Sequence, residues 1–148
     1  MTQEGFLFEA LCHILGNTCR IERTAKSYEW NATGAGALDA ARCFRAQADE
    51  LQDALEPLAL HVLGLGGRPI LDYSDEVVAV NPPGCDEIPP LDEMVSNLAG
   101  GHEQAMHSLG AAMDLARAAE EMPTLILLAS RIEAHRLHGH RLGMLMDQ

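Results

Sequence analysis

One apolar stripe, running from residue 38 to residue 65, constrains the fold of this chain more than any other feature. Its members recur in steps of three or four residues, which is the spacing of one face of an α-helix. The stripe consists of Leu38, Ala41, Phe44, Ala48, Leu51, Leu55, Leu58, Val62 and Leu65. It predicts one long helix that ends at Gly66 and Gly67, because glycine commonly terminates helices. Pro57 lies inside the stripe and is predicted to bend the helix, since proline removes an amide hydrogen bond.

The same spacing predicts three more helices. The first covers about residues 3–28, the third covers about 91–120, and the fourth begins at Pro123. Residues 68–90 hold five of the seven prolines and are predicted to form a long crossover with a short helix near residues 73–78. Two helical hairpins joined by a long crossover are typical of a ferritin-like four-helix bundle, so we expect that all-α fold.

Composition and charge support this fold and limit the classes of partner that the protein can bind. Hydrophobic residues make up 47% of the 148-residue chain but aromatic residues only 4%, a balance typical of packed helices. The length predicts a single domain spanning residues 1–148. The formal net charge of −12 favours cations as partners and disfavours direct DNA binding, because a polyanion is repelled.

The cysteines and the apolar segments predict where the protein resides. The four cysteines, at positions 12, 19, 43 and 85, show no CxxC spacing, which favours free thiols in a reducing compartment. The N-terminus has no features of a secretion signal, and no apolar run reaches about 18 residues. We therefore expect a soluble cytoplasmic protein that has no membrane partner.

Three motifs lie along the chain: EWNATG at residues 29–34, LGLGG at 63–67 and LLASRIEAHRLHGHRLGML at 127–145. Together, and at these separations, they resemble the Dps proteins, the mini-ferritins of bacteria. The resemblance implies a homo-oligomeric shell of twelve subunits, built from dimers, that oxidises ferrous iron with peroxide and stores the mineral inside. It also implies an iron site between two subunits, with Trp30 beside that interface.

The resemblance places five residues at the positions of the iron ligands, and only two of them carry carboxylates. Glu29 and Ala41 stand where the family has histidines, and Arg45 stands where it has a carboxylate. From the second subunit, Glu56 replaces an aspartate and Leu60 replaces a glutamate. Glu29 with Glu56 of the partner subunit could still hold a metal such as iron. Alternatively, Arg45 forms an ion pair with one of these carboxylates at the subunit interface.

Other acidic residues on the second predicted helix are candidates for iron contact. Asp49 and Asp53 are one helical turn apart and extend the acidic surface toward Glu56. Such a row is either a solvated helix face or, if it faces a shell interior, a surface on which iron mineral nucleates.

The histidines form a second candidate set. If the last two helices make an antiparallel hairpin about residue 121, His107 is level with His135 and His138, and the three could hold a metal. The alternative is that His135, like His102, is a core histidine on an apolar stripe.

Two functions remain open at this point. The first is a Dps-like shell protein that binds and stores iron and protects against peroxide, with ferroxidase activity weakened or altered. The second is a non-catalytic ferritin-like subunit that has lost iron oxidation. The N-terminus has no lysine-rich tail, which makes direct DNA binding an unfavourable third hypothesis.

Overall fold

The computed structural model describes residues 2–70, 82–83 and 87–147, and this part of the chain contains four α-helices. They are α1 (Gln3–Asn31), α2 (Ala37–Gly64), α3 (Leu91–Ala118) and α4 (Met122–Met146). The order and approximate bounds of the four predicted helices are confirmed. The short helix predicted near residues 73–78 lies outside the described residues. None of the described helices is long and apolar enough to cross a membrane.

The helices begin and end at residues whose chemistry explains the boundary. Oγ1 of Thr2 accepts a hydrogen bond from the amide of Gly5 at 3.0 Å and caps α1. Gly36 precedes α2 with a φ of +80°, and Gly66 follows it with a φ of +91°. Glycine adopts this left-handed conformation without strain, whereas other residues do not. Pro123 lies in the first turn of α4, where its missing amide hydrogen breaks no helical bond.

The helices pack as two hairpins. α1 packs mainly against α2, and α3 packs mainly against α4, while α1 also contacts α3. Apolar side chains of the four helices form two core clusters, one in each half of the bundle. The first includes Ile21, Ala25, Phe44, Leu51, Met94, Leu98 and Leu142. The second includes Leu7, Leu11, Ile14, Leu58, Val62, Leu109 and Leu128.

Buried polar residues lie between the two core clusters, at the middle of the bundle. They include Thr18, Gln47, His102, Arg131, His135 and His138, none of which is more than 6% exposed. The core is therefore apolar toward both ends and polar at its centre.

The stripe on α2 is buried as predicted along most of its length but not at its start. Leu38 is 66% exposed, because it lies before Ala40, the first buried residue of α2. Pro57 is exposed, and α2 runs across it from Ala37 to Gly64 as one helix. The bend predicted at Pro57 stays a prediction.

Candidate metal centre and buried histidine cluster

Glu29, near the C-terminal end of α1, lies between two positive side chains. Its Oε1 atom is 4.0 Å from Nε of Arg45 on α2, and its Oε2 atom is 3.6 Å from Nζ of Lys26 on α1. The Glu29 side chain is only 17% exposed, and Oε2 accepts no hydrogen bond from the described residues. The Glu29–Arg45 ion pair, predicted as the alternative to a metal site, is therefore formed within one subunit.

The hairpin of α1 and α2 explains how these charges meet. Lys26 and Glu29 are three residues apart and share one face of α1. Because only residues 32–36 separate the two helices, the start of α2 returns alongside the end of α1 and brings Arg45 next to Glu29. The Arg45 side chain is 69% exposed, so the pair contributes only about 0.2–1 kcal/mol to stability.

Trp30 follows Glu29 directly and points its ring into solvent, with 66% of the residue exposed. The aromatic side chain that reaches the core here is Tyr28, whose ring centroid lies 6.0 Å from that of Phe44. Its hydroxyl accepts a hydrogen bond from Nδ2 of Asn97 at 3.1 Å. Tryptophan is a residue type that is enriched at protein interfaces. The interface role of Trp30 stays a prediction.

Of the other ligand positions implied by the resemblance, only Glu56 carries a carboxylate besides Glu29. Ala41 is half-buried and Leu60 is 56% exposed, and neither side chain carries a metal-binding atom. Glu56 is exposed on α2, eleven residues beyond Arg45. Eleven residues of helix span about 16 Å, so Glu29 and Glu56 of one subunit do not share a site.

Asp49 and Asp53 are both exposed on α2. Asp49 lies close enough to Glu22 of α1 for its negative charge to act there: burial raises the pKa of Glu22 most, Lys26 and Arg23 lower it, and Asp49 raises it further. In the described part of the chain, no three His, Cys, Asp or Glu side chains are placed to hold a metal ion together.

Three buried histidines form what we call the histidine cluster: His102 of α3 with His135 and His138 of α4. The ring centroid of His102 lies 5.1 Å from that of His135 and 5.0 Å from that of His138. The Nδ1 atoms of His102 and His135 are 2.8 Å apart. Nε2 of His102 lies 2.9 Å from Oε1 of Gln47 on α2. The cluster thus connects three of the four helices.

The hydrogen bonds of Gln47 assign the tautomers of two of these rings. Nε2 of Gln47 donates to the backbone carbonyl of His138 at 3.2 Å, so Oε1 of Gln47 accepts from the Nε2–H of His102. A neutral His102 then has a bare Nδ1 atom, which accepts the Nδ1–H of His135. This arrangement satisfies both ring nitrogens of His102 and the Nδ1–H of His135.

Glu50 on α2 joins the histidine cluster to an ion pair. Its carboxylate accepts hydrogen bonds from Nε2 of His138 at 2.7 Å and from both terminal nitrogens of Arg131, whose side chain is only 7% exposed. Burial alone would raise the pKa of Glu50, but the hydrogen bonds from His138 and Arg131 outweigh it and lower that pKa to about 2. Nδ1 of His138 is buried and has no hydrogen-bond partner among the described residues.

Two of the histidines are held in the neutral form. Burial, with the nearby His135 ring adding to it, lowers the pKa of His102 to about 3. Burial and then the positive charge of Arg131 lower the pKa of His135 to about 4. Both rings therefore carry no charge at pH 7.

Comparison with known proteins assigns the chain to a family. Residues 9–148 match the ferritin-like domain. The chain belongs to the ferritin-like family. No curated protein matches it.

Solved structures of Dps proteins share the fold of this ferritin-like chain. The Dps of Thermosynechococcus elongatus is 22% identical, with 98% of this chain and 92% of that one covered and a TM-score of 0.86. A Dps protein from Bacillus brevis is 20% identical, with coverage of 99% and 98% and a TM-score of 0.85. The Dps protein of Vibrio cholerae O1 is 23% identical, with coverage of 99% and 90% and a TM-score of 0.79. The Dps resemblance drawn from the sequence motifs is confirmed at the level of the fold.

The structure corrects the predicted set of histidines in this ferritin-like chain. His135 and His138 are both in the cluster, but the third ring is His102, whereas His107 is exposed on α3 and takes no part in it. His102 lies four residues after Leu98 and three before Ala105, on the buried face of α3. A helix turns about 100° per residue, so His107, five residues further on, points away from that face.

Sequence reasoning did not single out Gln47, Glu50 or Arg131 as parts of a site. Gln47 lies three residues after Phe44, and Arg131 lies three residues after Leu128, so both follow the helical spacing of buried positions. A polar residue at such a position is a signal that could have identified both. Glu50 carries no such signal, because it is only half-buried at the edge of the core.

Proposed function

We propose that this ferritin-like chain is a Dps-like shell subunit that binds and stores iron and protects against peroxide, with ferroxidase activity that is weakened or altered. The fold is that of Dps proteins over nearly the whole chain. The formal charge of −12 favours the accumulation of cations. Iron is the substrate and the stored cargo in this proposal.

The observation that carries the weakened chemistry is the ion pair between Glu29 and Arg45 at 4.0 Å. A guanidinium group beside the carboxylate neutralises it and repels a divalent cation. Lys26 adds a second positive charge at 3.6 Å from the other carboxylate oxygen. Ala41 and Leu60 add no ligand atoms, so Glu29 and Glu56 of the partner subunit are the remaining carboxylates for a shared iron site.

The exposed row of Asp49, Asp53 and Glu56 on α2 supports a role in iron storage rather than oxidation. Carboxylate oxygens suit hard cations such as ferrous iron. We propose that this row faces the interior of the shell and serves as a nucleation surface. Loss of mineral capacity at an unchanged oxidation rate, after replacing Asp49 and Asp53 with asparagine, would support this division of roles.

Exposed apolar side chains near the α1–α2 surface support assembly into dimers and then a dodecamer. Trp30, Leu60 and Leu63 are 66%, 56% and 51% exposed. Large apolar side chains of this kind are typical of buried interface positions. With Arg45 they form the surface that we propose for the dimer contact. Light scattering on purified protein tests this, and a stable monomer at micromolar concentration would contradict it.

An aerobic ferrous oxidation assay, with and without peroxide, separates the first function from the second. Oxidation above the buffer rate that falls on changing Glu29 or Glu56 to alanine supports a residual ferroxidase. Glu103→Ala, at an exposed position on α3, is the matched control and should leave the rate unchanged. If the wild-type protein oxidises ferrous iron no faster than buffer alone, the second function, a non-catalytic ferritin-like subunit, is favoured. The Glu29–Arg45 ion pair is consistent with that function as well.

A further inference from the structure

The histidine cluster, with Gln47 and the Arg131–Glu50 pair, makes all the side-chain hydrogen bonds that the described residues form between α4 and the helices α2 and α3. His102 joins α3 to α2 through Gln47 and to α4 through His135. His138 and Arg131 join α4 to α2 through Glu50. These bonds lie between the two apolar core clusters, where burial is nearly complete.

The hydrogen bonds of the cluster depend on neutral rings. The Nδ1 atoms of His102 and His135 are 2.8 Å apart and can hold one proton between them. One added proton, on Nε2 of His135, keeps this bond because Nδ1–H of His135 still donates to His102, but it leaves a positive charge in a buried site. A second added proton sets two N–H groups against each other, which breaks the bond and repels the rings.

The surroundings offer little compensation for that charge. From α2 the cluster faces Glu50, whose carboxylate is already paired with Arg131 of α4. Arg131 acts unfavourably on both protonated rings, and Glu50 is the one group that favours them. No charged group of α1 in the described residues acts on His102 or His135. At this level α1 presents Ile21, close to Gly101 of α3.

We propose that the histidine cluster is an acid-sensitive lock that holds α4 against α2 and α3 and releases α4 when His102 and His135 become protonated. Each ring that reaches water in the open state regains its ordinary affinity for a proton, with a pKa of about 6.5. Acid therefore favours the open state, because that state binds more protons than the closed one. This inference does not rest on the proposed role in iron storage, and iron-free protein tests it.

Amide hydrogen exchange of the assembled, iron-free protein measures the opening directly. Between pH 7.5 and pH 5.0, after correction for the intrinsic exchange rate, we expect exchange in peptides from the middle of α4 to rise about 30-fold for each histidine released. That factor is the ratio, between the two pH values, of 1 + 10^(pKa − pH) for an open histidine with a pKa of about 6.5. A change of less than about twofold would overturn the proposal.

Two variants separate the lock from general acid unfolding. His135→Asn keeps a hydrogen-bond donor beside His102 but does not titrate, and it should reduce the acid response by about 30-fold. His140→Asn changes an exposed histidine on the same helix and should keep the wild-type response. Equal responses in the two variants would refute the lock. If His135→Asn does not fold, the wild-type exchange profile from pH 7.5 to 5.0 still decides the question.

Discussion

Replacing Arg45 with glutamine is expected to strengthen the binding of ferrous iron at Glu29. Nε of Arg45 lies 4.0 Å from Oε1 of Glu29, and an ion on that carboxylate would lie at about the same distance from the guanidinium. Two unit charges at 4 Å interact by about 1 kcal/mol in water. A divalent cation doubles that repulsion to about 2 kcal/mol, which corresponds to roughly a 30-fold change in affinity.

The exposure of the Arg45 side chain decides which dielectric constant applies. Because 69% of that side chain is exposed, the value for water is appropriate, and the estimate is a lower bound for a site closed by a second subunit. The same exposure means that the lost ion pair costs less than about 1 kcal/mol of folding stability. A gain in affinity would therefore not be hidden by unfolding.

Calorimetry under anaerobic conditions and at low salt measures the affinity for ferrous iron in the wild type, in Arg45→Gln and in a matched control. Arg42→Gln removes an exposed positive charge from the same helix, one turn away, and should change the affinity far less. Repulsion of the ion by Arg45 is excluded if Arg45→Gln binds iron no more than about twofold better than the wild type. Equal gains in both variants would indicate a general charge effect instead of repulsion at Glu29.

Three further predictions concern the buried histidines, Glu50 and Leu60. Between pH 7 and pH 5 the free energy of unfolding, measured with urea, should fall by about 4 kcal/mol. Folding lowers the pKa values of His102 and His135 to about 3 and 4, so the unfolded chain binds more protons than the folded one in this range. The stability is therefore complete above a pH of about 6.5 and is lost as the pH falls below it. A flat profile would contradict it. Glu50→Gln should cost about 2–3 kcal/mol, at or below the lower end for a broken buried pair because Glu50 is 37% exposed. Glu133→Gln, at an exposed ion pair on the surface of α4, should cost much less. Equal losses of stability in thermal or urea denaturation would count against this. Leu60→Glu returns a carboxylate to a ligand position implied by the resemblance and should raise the ferrous oxidation rate, and an unchanged rate would exclude Leu60 as the limiting departure.

The predicted helices were confirmed because helical periodicity is a local property of the chain. The α2 stripe from Phe44 to Val62 is buried as predicted, since burying an apolar face is the main source of stability for a long helix. Leu38 belongs to the same stripe and is exposed. Periodicity identifies the face of a helix, but not how far along its axis the neighbouring helices extend.

The histidines also show that a local pattern predicts a helix but not which residues of two helices meet. Counting residues from the turn predicted that His107 meets His135 and His138, but rotation about the α3 axis places His102 there instead. The partners of the cluster, Gln47 and Glu50, come from α2 and are more than 50 residues from His102 in the chain. No local pattern indicates a contact at that separation.

Periodicity, turn residues and side-chain chemistry can be read along the chain, and they predict the all-α bundle, the two hairpins and the replacement of most of the ligands implied by the Dps resemblance. The pairing of Arg45 with Glu29 within one subunit and the meeting of three histidines at the centre of the core are visible only in the folded chain. Those outcomes depend on the rotation and vertical alignment of whole helices, which are set by packing among residues distant in sequence.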